Sequence, residues 1–504
     1  MAIRPLLKKL CQCIGIAALV QLHQYIPLLG GGYLFRLSST VPLTTMVLAH
    51  IADIFLLAPA LLVLLLAVGR TRYYSLFRLL LEIAIPVFVF HFLRLPHQPR
   101  LDAVFIPVWS ALLLLLYFRF NHWYAVSERL GGTVAVLLFA FAMFSIGQML
   151  SLITWRPGPQ QILAAWRSSP QPPRTHPLVV WILFDELSYD QLFEHRAAGL
   201  QLPNFDALRA QSTTFTNVQP AGDQTARIIP SLLTGKRVDN VRLGIDNAFR
   251  VHYSDGSGWH PLHGADTVFA DANRYGWRTA VVGWYNPYCT AYGDAIQDCQ
   301  TYSFDLSMGW MNPTNTVWQN IQRSLAHRLP SDGSVGSRLS VLCSLVAREH
   351  ARSQIVLQQE ALQMLRTDQE DFVLLHLPFP HPPATWSRQQ NTYNPQCGSS
   401  YLDSLAQTDN ALGAILEILH NSPRWNDTSL VVQGDHSWRT YSWREHDGWT
   451  PEDGRASRNT FDPRPALFIH QAAQLQPRIN ATAWPETDVH KVLLQLVQGQ
   501  APTF

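Results

Sequence analysis

The first 153 residues hold five strongly apolar stretches, at about Leu7 to Leu29, Pro42 to Val68, Leu76 to Leu93, Ala103 to Tyr117 and Leu130 to Ile153. Most of them are long enough to cross the roughly 30 Å hydrocarbon core of a bilayer, so this part of the chain is expected to be a five-helix transmembrane bundle. The first stretch reads as an anchor, because no small-residue cleavage site followed by a soluble segment ends it. Arg4, Lys8 and Lys9 lie at its N-terminal end, and Arg70, Arg72 and Arg78 cluster where the second stretch gives way to the third, which puts the N-terminus in the cytoplasm. Five crossings then deliver everything after Ile153 to the outer side. Residues 155–177 are Pro-rich, with Trp155 and Trp166 suited to headgroup level, and form a linker along the membrane surface. The organisation expected is a transmembrane domain over 1–154, that linker, and an extracytoplasmic catalytic domain over 178–504, placed at the inner (plasma) membrane.

The 47% hydrophobic content is an average over these unlike halves and says little about the second. The net charge is +2 with no basic stripe, so no nucleic-acid partner is expected. Cys11 and Cys13 lie in the first apolar stretch, whereas Cys289, Cys299, Cys343 and Cys397 fall in the half assigned to the outside, where disulfides persist. Cys289 with Cys299 is the easiest pairing and leaves Cys343 with Cys397, one of three connectivities open to four cysteines.

Two apolar, β-branched runs, Leu178 to Phe184 and Leu430 to Gln433, read as strands buried on both faces. Asp185 and Glu186 follow the first, and Asp435 and His436 follow the second. In open α/β sheets the C-terminal edge of the strands binds ligands, so residues about 250 positions apart would meet there. Carboxylates with an imidazole suit Zn²⁺, with Mn²⁺ as the alternative. Thr225, in GDQTARIIPSLLTG, offers a hydroxyl that becomes a nucleophile only beside such an ion and a helix N-terminus. Pro230 is expected to make the first turn near Thr225 irregular. Taken singly, an acidic pair after a strand is most often a cap and a lone Thr is ordinary; the joint pattern carries the chemistry.

That pattern resembles the alkaline phosphatase and sulfatase superfamily over Leu178 to His470. FDELSYDQLF is similar to the sulfatase opening in which two adjacent acids bind metal, and LPNFDALRAQSTTFTNV to the helix and strand before the nucleophile. DTVFADANRYGWRTAVVG, YLDSLAQTDNALGAILEIL and RPALFIH resemble later units of the family. Thr225 stands nine and ten residues before Thr234 and Gly235, as the nucleophile does before a Thr-Gly in sulfatases. The resemblance implies an α/β sandwich domain with one or two divalent ions, most readily Zn, on Asp185, Glu186, Thr225, Asp435 and His436.

Two departures narrow the activity. Sulfatases use a cysteine-derived formylglycine where this chain has Thr225, and their sulfate-holding Lys and His are replaced by Trp284 and Asn286. A threonine nucleophile instead resembles the membrane-bound branch, which includes phosphoethanolamine transferases and lipoteichoic acid synthase-type phosphoglycerol transferases. That branch implies a phospholipid donor, an envelope glycan or lipid acceptor, and a phosphothreonine intermediate. In it His381 faces the substrate's oxygens and, as His⁺, stabilises charge or protonates a leaving group. His446 lies where related transferases carry a substrate-side histidine, and Arg227 stands ready to replace the missing cation. His376, inside its strand, reads as a satisfied core residue. The alternatives are a phosphodiesterase or sulfuric ester hydrolase of the same superfamily, and an inactive envelope binding protein.

Overall fold

The computed structural model describes residues 3–22, 43–69, 99–154, 176–243, 248–302, 316–326, 340–394, 398–445 and 448–504, with a few further positions between 25 and 83. The chain divides into two compact units, one within Met1–Gly32, Val41–Arg156 and Leu306–Arg328, the other within Tyr33–Thr40, Pro157–Asp305 and Leu329–Phe504.

The first unit is helical: α1 (Ile3–Val20), α2 (Leu43–Val68), α3 (Pro99–Arg119) and α4 (Asn121–Ser151). Two spans among the described residues, Thr44–Val68 and Arg129–Ser151, are long and apolar enough to cross a membrane; the window of Pro107–Arg119 is shorter. Five spans were expected. The first stretch gives an 18-residue helix that takes in Lys8 and Lys9, and most of the third stretch and residues 155–175 of the 155–177 linker lie outside the described residues. Helix α1 packs tightly on α4 at Gly15, where any Cβ would come within 2.7 Å of the Ala135 carbonyl oxygen. Beside it the Gln12 amide donates to the Gly132 carbonyl at 2.9 Å. One segment from the far half of the sequence joins this unit. The helix Val317–Ala326 packs on α2 and buries Asn320 and Ile321.

The second unit is built on an eight-stranded mixed sheet. Its strands are β1 (Leu178–Asp185), β2 (Thr213–Phe215), β3 (Thr279–Trp284), β4 (Asp298–Tyr302), β5 (Phe372–Pro380), β6 (Thr428–Gly434), β7 (Leu467–His470) and β8 (Arg478–Asn480). The spatial order is β8-β2-β7-β6-β1-β5-β3-β4. Parallel pairing joins β1 to both β5 and β6, whereas β7 runs antiparallel to both its neighbours. All eight residues of β1 are buried, which in a strand of alternating faces requires cover on both sides. The helices that position the site are α5 (Thr225–Thr234), α6 (Tyr288–Ala291), α7 (Ser340–Thr367) and α8 (Tyr401–His420). Helix α8 starts in a capping box, Ser400 accepting from the Asp403 N–H, and packs on β5.

Pro230 lies inside α5, which begins at Thr225 all the same. The helix ends at Gly235, whose φ of +69° and close approach to the His490 ring both exclude a side chain. Cys289 and Cys299 form a disulfide; Cys397 and the Cys343 side chain lie outside the described residues.

Candidate metal centre and nucleophile

The sheet explains why distant residues converge. Leu183 of β1 is in register with His376 of β5 and Gln433 of β6. By the two-residue repeat, Asp185 shares the face of Leu183, and Asp435 that of Gln433. His376, Asp185 and Asp435 therefore project from one face near the C-terminal edge. Each offers a ligand atom within 4.8 Å of the others, and all three are buried. His436 completes the group, its Nε2 lying 3.3 Å from Asp185 Oδ1 and 3.7 Å from Asp435 Oδ2. Gly434 lets the end of β6 run close to the turn after β1, since a Cβ there would meet the Leu187 carbonyl oxygen at 2.5 Å.

Thr225 enters at the first residue of α5. Its Oγ1 donates to Asp435 Oδ2 at 2.7 Å, and the residue is 7% exposed. Asp435 Oδ1 accepts from the backbone N–H groups of Glu186 at 3.1 Å and His436 at 2.7 Å. Burial opposes ionisation of Asp435, but His436, His376 and the Thr225 hydroxyl outweigh it and hold the carboxyl below its ordinary range. Burial, then the charge of Asp435, pushes Asp185 well above that range.

The donor set fits a divalent cation. His436 Nδ1 lies 3.0 Å from the Ser437 carbonyl, so it carries the proton and turns a lone pair on Nε2 toward two carboxylates. Asp185 Oδ1, His436 Nε2 and His376 Nε2 are all buried without a hydrogen-bond partner among the described residues. Converging lone pairs repel unless a cation lies between them. Among the described residues the three buried acids Asp185, Glu186 and Asp435 share one guanidinium, that of Arg439, so a cation would relieve the repulsion that raises Asp185.

Arg439 went unassigned in the sequence. Its Nε donates to Glu186 Oε1 at 2.5 Å, while the Trp443 indole donates to Oε2. Burial works against the Glu186 charge, yet Arg439 and the nearby histidines hold its carboxyl below the ordinary range. Glu186 has a positive φ of 71°, so the chain turns sharply between the two acids. Asp185 thus faces the cluster while Glu186 is bound up with Arg439. A basic residue four positions after Asp435 was the available signal.

His381 follows β5, its N–H donating to the Asp185 carbonyl at 3.0 Å. Its ring meets Trp284 edge-on at 5.7 Å, and the Trp284 indole donates to Asp185 Oδ2 at 3.1 Å. Burial lowers the His381 pKa despite the opposing pull of Glu186, which favours a neutral ring over the expected His⁺. Arg227 is half-buried and lies 3.5 Å from Asp223 on the exposed loop before α5. His446 lies outside the described residues. A second acidic group, Asp190 with Glu194 and His195, is taken up in a surface ion-pair network with Arg458 and Arg464.

The sequence profile of the sulfatase family matches residues 177–497. No curated protein matches the chain. Similar solved structures include the phosphonate monoester hydrolase of Agrobacterium radiobacter, 16% identical over 65% of this chain and 78% of that one, with a TM-score of 0.39. The phosphonate monoester hydrolase of Silicibacter pomeroyi is 15% identical over 65% and 78%, with a TM-score of 0.43. The sulfatase PsFucS1 from Pseudoalteromonas sp. is 13% identical over 64% and 68%, with a TM-score of 0.42.

Proposed function

The chain belongs to the sulfatase family, and from that premise we propose that it is a membrane-anchored transferase moving a phospho-headgroup, phosphoethanolamine or phosphoglycerol, from a phospholipid to an envelope glycan or lipid through phospho-Thr225. One observation carries the reading: the Thr225 hydroxyl, at the N-terminus of α5, donates to Asp435 inside the ring of converging lone pairs. The helix end favours negative charge on that oxygen. Asp185, Asp435, His436 and Thr225 would hold a divalent ion, whose positive charge would favour ionisation of the Thr225 hydroxyl and offset the charge gathering on the phosphoryl oxygens. Zn²⁺ suits this nitrogen and oxygen set best.

In the first half-reaction Thr225 Oγ1 forms a bond to phosphorus as the bond to the diacylglycerol oxygen breaks, and that oxygen takes up the threonine proton. In the second, an acceptor hydroxyl attacks phospho-Thr225 and the Thr225 oxygen leaves with a proton. His381 suits the role of base for the acceptor. Its Nδ1 lies 2.6 Å from the Pro382 carbonyl, which leaves the Nε2 lone pair to receive the acceptor's proton. The anchor is read as multi-pass, with the catalytic unit outside the cytoplasm. In support, the two long apolar helices are only 17% and 22% buried, and among the described residues little else covers their apolar surface.

With water as acceptor the same site is a hydrolase. Intact-mass analysis of the detergent-purified, Zn²⁺-loaded protein after incubation with mixed phospholipids separates the readings. A headgroup-sized gain on wild type, absent from Thr225→Ala, supports transfer through Thr225. No adduct and no released diacylglycerol, with turnover of soluble phosphodiesters, turns the assignment to the hydrolase.

A further inference from the structure

The two adjacent acids that open the family's metal site are not used alike here. Glu186 has both carboxylate oxygens occupied, one by the Arg439 guanidinium and the other by the Trp443 indole. It is fully buried, so turning it to an ion would strand the guanidinium beside it. The vacancy this leaves in the ligand set is matched from the neighbouring strand. His376 is fully buried, lies with Asp185 and Asp435 in one 4.8 Å group, and has no partner for Nε2 among the described residues. Its other nitrogen, Nδ1, meets the Tyr288 hydroxyl at 2.9 Å, and the ring also bonds the Trp284 backbone.

We infer that His376, and not Glu186, is a ligand of the ion through Nε2, and that Tyr288 is the positioning residue that fixes its tautomer. The inference rests on the metal-dependent reading of the site. Ligation needs a lone pair on Nε2, so the proton sits on Nδ1 and the Tyr288 oxygen accepts it. The fold holds Tyr288 tightly in place. Its ring lies so close to Gly283 of β3 that a Cβ there would come within 2.4 Å of Tyr288 Cδ2. Tyr288 opens α6, whose next residue, Cys289, is bonded to Cys299 of β4. Most buried side-chain polar atoms have a partner. His376 has its outer nitrogen engaged and its inner nitrogen beside two carboxylates.

The test is Zn²⁺ binding by the full chain in detergent, stripped and reloaded, measured by competition with a chromophoric chelator. His376→Gln should weaken binding by at least 10- to 100-fold, and Tyr288→Phe by about 10-fold. Glu186→Gln should stay within about threefold of wild type, with Asp435→Asn as the control that abolishes binding. Because a variant may lose its fold, X-ray absorption on Zn-loaded wild type gives an independent count. Two imidazoles on the ion support the inference, and one overturns it. Unchanged affinity in His376→Gln, or a loss in folded Glu186→Gln equal to that in Asp435→Asn, overturns it as well. A wild type that binds no Zn²⁺ sinks the metal reading itself, a different result from binding with one imidazole.

Discussion

The two units treat apolar side chains in opposite ways. In the α/β unit, every residue of β1, β5 and β6 is buried by the chain's own elements. In the helical unit, Leu64, Leu137 and Phe144 point outward, Leu137 with 65% of its surface exposed. Contiguous apolar surface of that extent marks a membrane or protein contact. The same residue types thus report a core in one unit and, on the reading proposed above, a lipid-facing surface in the other.

The sharpest way to break this contrast is to put one charge into each unit. Val432→Asp, at a fully buried position of β6, should cost more than about 4 kcal/mol and leave the α/β unit unfolded, seen as loss of protease resistance. Within that unit, Asp435→Asn should keep the fold, by circular dichroism, while turnover falls by about 10³-fold, since it removes both a ligand and the acceptor of the Thr225 hydroxyl. Leu137→Asp should cost about 3 kcal/mol if the helix faces lipid and almost nothing if it faces water. Carbonate-resistant membrane association reads the difference; unchanged association of the variant would end the lipid-facing assignment.

A smaller effect lies on the far side of the α/β unit. Burial, then the charge of Asp298, raises Glu370 to about 7. The folded state therefore binds its proton more tightly than the unfolded chain. Its stabilising share is full below the unfolded value near 4.5 and is lost as pH rises through about 7. Glu370→Gln should accordingly stabilise the protein by on the order of 2 kcal/mol at pH 8, with no gain at pH 4. Denaturant melts at the two pH values check it, and equal melts at pH 8 would contradict the buried-acid account.

Much of the α/β unit was legible in the sequence because strand ends and helix starts are local. Leu178 to Phe184 read as a buried strand, and the structure extends it by one residue to Asp185. The Cys289–Cys299 pairing also reads from proximity in the chain. The apolar stretches were less decisive, since hydropathy alone does not separate a spanning helix from one that is too short. The helix Val317–Ala326 gave no sign of its allegiance to the helical unit, because that depends on contacts with α2, far away in the sequence.

By itself, the sequence determined the family, the strands that end in acids, and the Thr225 that opens a helix, each a matter of residue type and spacing over short runs. Tertiary structure decided which acid faces the cluster. Asp185 and Glu186 are chemically near-equivalent neighbours, but a left-handed turn separates them, and Arg439, 253 positions away, takes the second. The same register that joins β1 to β5 brings His376 to the cluster, where its surroundings in the chain, LLHLP, gave it the look of a core residue. Chain-local chemistry can name the candidate ligands, whereas their allocation depends on which distant partner satisfies each buried charge.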